Sequence, residues 1–165
     1  MKFLVLRTDL KKKLRNIRLL IVDGRIFTAE LDRGLDSTAE SIDSDKLSRL
    51  ESDGIKVILC SESPNGNRAG KLNDNCFIHS ALDGLTFKEF INKTCDDYKV
   101  KKTEIAFINV SDADRSLLSS INFSATTIDA PLEIKTNSYY VSNFTGAETF
   151  NEIVQLISSA KTPSS

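Results

Sequence analysis

An apolar run, Ile17-Arg18-Leu19-Leu20-Ile21-Val22, ends on Asp23 and Gly24, so a β-type segment stops on a single carboxylate followed by a residue that lets the chain turn. A carboxylate there is where a phosphotransferase keeps its nucleophile, since it can attack phosphorus and carry the group covalently. Such a reaction needs positive charge to offset the repulsion between carboxylate and phosphate dianion, and a proton for the departing alkoxide. Two residues on, where a second carboxylate would serve as acid and base, stands Arg25. Arginine stays charged near neutrality and is no proton donor. The remaining repertoire is short. His79 is the only histidine, which excludes multi-histidine metal sites and histidine-based triads and favours a partly buried structural role. Neither G-x-G-x-x-G nor a P-loop occurs. A phosphoacceptor receiver domain would need further acids at strand one and a placed lysine, and neither is evident.

With 22 basic and 23 acidic residues the net charge is -1, so no long-range field draws nucleic acid or anionic lipid. The run Lys11-Lys12-Lys13 reads as a solvated helix face. The 165 residues suit one domain, 1–165, able to bury a good core. Cys60, Cys76 and Cys95 have no C-x-x-C spacing, which fits small core residues in a reducing compartment. No stretch reads as a signal peptide or a membrane span, so the expectation is a cytoplasmic or nuclear protein in which the N-x-Ser/Thr triplets carry no glycan.

Stepping along the chain, β-branched apolar runs at 17–22, 55–60, 76–78, 105–108, 125–128 and 139–141 alternate with amphipathic segments. That alternation predicts an α/β fold: a three-layer, Rossmann-like parallel sheet with helices on both faces. Helices are expected at 10–16, at 43–52 with Gly54 beyond the end, from the capping box Thr86-Phe87-Lys88-Glu89 to about 97, from Pro131, and over 148–160. The tail 162–165 is expected to fray. One insertion breaks the rhythm. Strand-like stretches at 25–31 and 37–42 flank Asp32-Arg33-Gly34, a β-hairpin signal that would lay a flap over the carboxyl end of the sheet, where open α/β folds bind ligands.

The order of elements resembles the small-capped members of the haloacid dehalogenase superfamily typified by 3-deoxy-D-manno-octulosonate 8-phosphate phosphatase. The matching stretches are the short helix and strand ending on Asp23, Gly24-Arg25-Ile26, Asp45, Asp53-Gly54-Ile55-Lys56-Val57-Ile58-Leu59, 104–108, and Thr145-Gly146-Ala147 before the last helix. A similar domain closes animal CMP-N-acylneuraminate synthetases as a non-catalytic assembly module. The resemblance implies four stations: a nucleophilic Asp with an acid/base Asp two residues later, a Thr or Ser after strand two, a Lys further on, and paired acids that hold Mg²⁺. Laid on this chain, Asp23 takes the nucleophile's place and Arg25 the acid/base position. Ser61 takes the hydroxyl station, beside Glu62, although capping of its own loop is the simpler reading. The lysine station falls at Gly84, with Lys88 one helical turn away. The metal station reads Asn109-Val110-Ser111-Asp112-Ala113-Asp114, so its first acid has become Val110. Asp23 and Asp114 could hold only a weak Mg²⁺, and Asp112 suits a helix cap.

Three functions follow as expectations. The favoured one is a catalytically degenerate phosphatase-like domain serving assembly or regulation, without a cofactor, in sialic-acid or related acidic-sugar metabolism. It would form a homo-oligomer, a tetramer by the resemblance, with Ile26, Phe27, Ala29 and Leu31 of the flap in the interface and a sugar nucleotidyltransferase domain as a partner. The second is a residual Mg²⁺-dependent phosphatase acting on an acidic sugar phosphate. The third is an anion-binding module in which Asp23, Arg25, Ser61 and Arg68 line a cleft. Asp23 is expected to bond to Arg25 or to backbone amides of its own loop instead of to a metal.

Overall fold

Parallel strands dominate the sheet, because most of the apolar runs are followed by a helix that carries the chain back to the end of the sheet where the next strand starts. A computed structural model describes residues 8–27, 44–61, 70–71, 77–81, 84–110 and 115–161. Its strands are β1 (Leu19–Asp23), β2 (Lys56–Ser61), β3 (Gly70–Lys71), β4 (Phe77–Ala81), β5 (Ile105–Ile108), β6 (Phe123–Thr126) and β7 (Tyr140–Val141), in the order β3-β4-β2-β1-β5-β6-β7. All neighbours run parallel except β3, which lies antiparallel on β4. The helices are α1 (Thr8–Arg15), α2 (Ser44–Ser52), α3 (Phe87–Tyr98), α4 (Arg115–Ser120), α5 (Leu132–Asn137) and α6 (Gly146–Lys161).

Central position explains why β1 is apolar on both faces. Leu20 and Val22 pack into a cluster with Leu10 and Leu14 of α1, Leu47 and Leu50 of α2, and Phe150 and Ile153 of α6. Leu19 and Ile21 point the other way, toward Phe87 and Ile91 of α3 and Leu117 and Leu118 of α4. These two clusters make the three layers that the alternation of runs predicts. Local signals place the helices as read. The Thr86 hydroxyl accepts from Glu89 N at 3.1 Å while Thr86 N donates to the Glu89 carboxylate at 2.9 Å, so both arms of the capping box form. Gly54, just past α2, sits at φ +80, a left-handed turn conformation that glycine takes without strain.

Among the differences from the sequence expectation, two have a visible physical reason. β6 begins at Phe123 and ends at Thr126, two residues ahead of the predicted run. The reason lies beyond its end, where the Thr127 hydroxyl donates to Asp129 at 2.6 Å and Ile128 N donates to Phe144 O at 3.1 Å, taking 127–128 out of the ladder. At Gly24–Phe27 a 3₁₀ turn replaces the first strand-like part of the flap. Ile26 and Phe27 are buried there, with the Phe27 ring 5.6 Å from that of Phe150 in an edge-on contact. As intersubunit contacts these two are therefore corrected: they belong to the chain's own core. Residues 28–42 of the flap, with Ala29 and Leu31, and the tail 162–165 lie outside the described residues.

Candidate functional site

Asp23 lies at the carboxyl end of β1, between β2 and β5, where the chain has turned to one side of the sheet for β2 and later to the other for β5. That is the crevice in which open α/β sheets bind ligands. Its residue is 1% exposed, a burial that a charged group tolerates only when its oxygens are satisfied. One carboxylate oxygen accepts from Arg25 N at 3.0 Å and the other from Val110 N at 3.5 Å. The first bond closes the 3₁₀ turn and the second ties the loop after β5 back to strand one. Part of the expectation for Asp23 is met: an amide of its own loop holds it. Arg25 provides that amide and exposes its side chain.

Beneath Asp23 the sheet places Cys60, its registered partner on β2. The Cys60 thiol donates to Val22 O at 3.4 Å. Burial pushes this thiol well above its ordinary range, and the neighbouring Asp23 charge pushes further in the same direction. Cys60 is thus a neutral core group, as expected, and no thiolate nucleophile stands beside the carboxylate. Sequence reasoning missed this pairing; the apolar texture of 57–60 carried it only once β1 and β2 were set in register.

The other stations are distributed unevenly. β2 ends at Ser61, one residue past the Asp23 pair, though the placement of its side chain lies outside the described residues, as do Glu62, Arg68, Asp112 and Asp114. Gly84 has φ +83. A lysine at that point would be forced into a left-handed conformation that side-chain-bearing residues rarely adopt, so the turn into α3 is built for glycine. Lys88 is exposed on α3. Val110 brings a backbone N–H to Asp23 and packs its side chain against the core.

Mg²⁺ fits the described residues poorly. The ion demands oxygen ligands in octahedral array, whereas Asp23 is the single carboxylate placed here and both its oxygens face N–H donors, which an adjacent cation would repel. Among the described residues no group of three or more His, Cys, Asp or Glu could hold a metal ion. The arrangement holds strand one to the β5 loop and presents Arg25 outward. No helix among the described residues is long and apolar enough to cross a membrane.

No family model matches the sequence, and no curated protein matches it. Solved structures do. The 3-deoxy-D-manno-octulosonate 8-phosphate phosphatase from Yersinia pestis superposes with TM-score 0.68 at 17% identity, covering 94% of this chain and 88% of that one. The enzyme of the same name from Moraxella catarrhalis, in complex with magnesium, phosphate and KDO, gives TM-score 0.68 at 18% identity over 94% of each chain. The cobalt-bound deoxy-D-mannose-octulosonate 8-phosphate phosphatase from Haemophilus influenzae gives 0.68 at 20% identity, covering 90% of this chain and 91% of that one. The chain therefore shares the α/β fold of these solved phosphatases, in keeping with the resemblance carried by the sequence.

Proposed function

We propose that this chain is a catalytically degenerate, phosphatase-like domain retained for assembly or regulation. The observation that carries this reading is the contact at the end of β1, where the metal station supplies Val110 N–H to Asp23 in place of a carboxylate. An N–H donor neutralises Asp23 locally but cannot anchor a cation that would draw in phosphate, and the neighbouring Arg25 supplies no proton. Loss of the general acid alone costs roughly a hundredfold to ten-thousandfold in rate. Homo-oligomerisation, with a tetramer as the expected form, and a sugar nucleotidyltransferase domain of acidic-sugar metabolism as partner, belong to this same reading. Ile26 and Phe27 are removed from its contact surface by their burial.

Retention of Asp23 at the carboxyl end of the central strand favours a second reading, a residual Mg²⁺-dependent phosphatase for an acidic sugar phosphate. One experiment separates the two. Purified protein is assayed for phosphate release from a panel of sugar phosphates with millimolar Mg²⁺, beside Asp23→Asn, while light scattering after size exclusion reports its mass. The degenerate reading expects no turnover above the Asp23→Asn background and a multiple of the chain mass; turnover abolished by Asp23→Asn overturns it, and a monomer at tens of micromolar removes the assembly role. An anion held in the crevice without turnover is the third reading, and Arg25, exposed beside Asp23, favours it.

A further inference from the structure

β7 pairs only with Ala125 and Thr126, so the first half of β6 has no strand neighbour on its outer edge. Side chains close the gap. The Lys13 ammonium donates to Asn122 O at 3.1 Å, the Asn122 amide donates back to Lys13 O at 2.5 Å, and Tyr139 N donates to the Ser124 hydroxyl at 2.9 Å. Between them lies a cavity of about 240 Å³ reached from α1, the end of α4 and the end of α5. By register it sits at the amino end of β6, the opposite end of the sheet from Asp23.

We propose that this cavity is a second binding site, for a small hydroxylated anion. Its lining combines apolar Leu118 and Ile121 with the Ser124 hydroxyl, the amides of Asn122 and Asn137, the Tyr139 ring and the Lys13 charge. The Ser119 and Ser138 hydroxyls also line it, their protons given to Arg115 O and Ile134 O so that they offer lone pairs. The Asp9 carboxylate stands at the margin, accepting from the Tyr139 hydroxyl. The Lys13 ammonium is fixed by one carbonyl and by the Tyr139 ring, whose centroid is 4.7 Å away. An ammonium has three N–H donors, so donor capacity remains beyond the Asn122 carbonyl, and its charge is already positioned before a ligand arrives. Hydroxyl lone pairs suit a ligand's alcohol groups, and the fixed ammonium with the second N–H of the Asn122 amide suits its oxyanion. The volume lies below the roughly 300–1,000 Å³ of drug-sized pockets, which limits the occupant to a few carbons.

Glycerol 3-phosphate, with inorganic phosphate and glycerol as bare-anion and neutral arms, is titrated into the isotope-labelled full chain while backbone amide resonances are followed. Saturable shifts at Ser119, Asn122, Ser124 and Ser138 are expected with glycerol 3-phosphate, weaker ones with phosphate and none with glycerol. Lys13→Met should weaken binding about tenfold or more, the loss of one charge-assisted contact. Ser119→Leu, on the exposed face of α4, should block the cavity without touching the core and so keeps the test valid if Lys13→Met misfolds. Shifts that fail to saturate, that survive both substitutions, or that fall only at Gly24, Arg25 and Val110 overturn the proposal; the last pattern would place the anion in the Asp23 crevice.

Discussion

The end of β1 and the edge at β7 both hold a carboxylate against hydrogen-bond donors, yet they do so with different kinds of partner. At Asp23 the donors are backbone N–H groups of Arg25 and Val110, fixed by the fold itself. At the edge, Glu152 of α6 accepts from the Tyr140 hydroxyl at 2.6 Å and the Ser142 hydroxyl at 2.5 Å, and Ser142 in turn accepts from Phe144 N at 2.9 Å. Backbone donors survive any exchange short of proline, whereas side-chain donors must be kept one by one. A carboxylate held by backbone can therefore outlast the chemistry it once served, because its burial makes removal costly even when no reaction depends on it.

The largest effect expected from breaking this comparison comes from the turn that carries Arg25 N. Phe27→Ala removes a ring that is 0% exposed and packed on Phe150, and should cost about 3–5 kcal/mol in denaturant unfolding. Oligomer mass should be unchanged at concentrations where the variant stays folded; a change of mass without loss of stability would return Phe27 to an interface.

Asp23→Ala comes next, at about 1–3 kcal/mol, since it leaves the N–H groups of Arg25 and Val110 without their acceptor in a buried place. Stability that rises on this substitution would mean that Asp23 is strained in the fold, as functional residues are, and would favour the enzyme reading. Glu152→Ala should cost about 1 kcal/mol, since Glu152 and Tyr140 are half-buried and water can replace the carboxylate, even beside the buried Ser142. Hydrogen exchange should quicken at Ser142 and Phe144 and stay unchanged at Val110; equal quickening at both places would erase the distinction between the two regions.

How much of this was legible beforehand depends on whether a residue's meaning was local. The capping box at Thr86, the turn at Gly54 and the β5 run are set by neighbours within a few positions, and all three stand where the sequence puts them. Gly24–Phe27 misread as strand because its apolar residues answer to α6, more than a hundred positions on, and a short apolar run cannot say which element will cover it. The same limit hid β3, a two-residue strand with no apolar pattern of its own. At the site, Arg25, Gly84 and Val110 were read as departures only through the resemblance, which supplies the pattern they are set against. That Val110 answers Asp23 through its amide was not legible, because every residue but proline carries that group.

The smallest expected effect concerns Cys60, the buried thiol set in register beside Asp23. Burial first, and then the Asp23 charge, hold its pKa well above the ordinary 9.0 in the folded state. The unfolded thiol keeps its ordinary value, so below that value both states are protonated and the thiol adds no pH dependence. Above it the unfolded chain releases the proton while the folded chain retains it, which means the native state binds more protons and stability must fall as pH rises. Above 9.0 the loss from this one group grows with each step of pH until the raised folded pKa is reached. Tyrosines and lysines also titrate in that range, so the informative quantity is the difference between the parent chain and Cys60→Ala, which should lose the slope while carrying a constant cavity cost at neutral pH. Equal alkaline slopes in the two proteins would show that the thiol titrates freely, and that the strand end around Asp23 is wetter than its burial indicates.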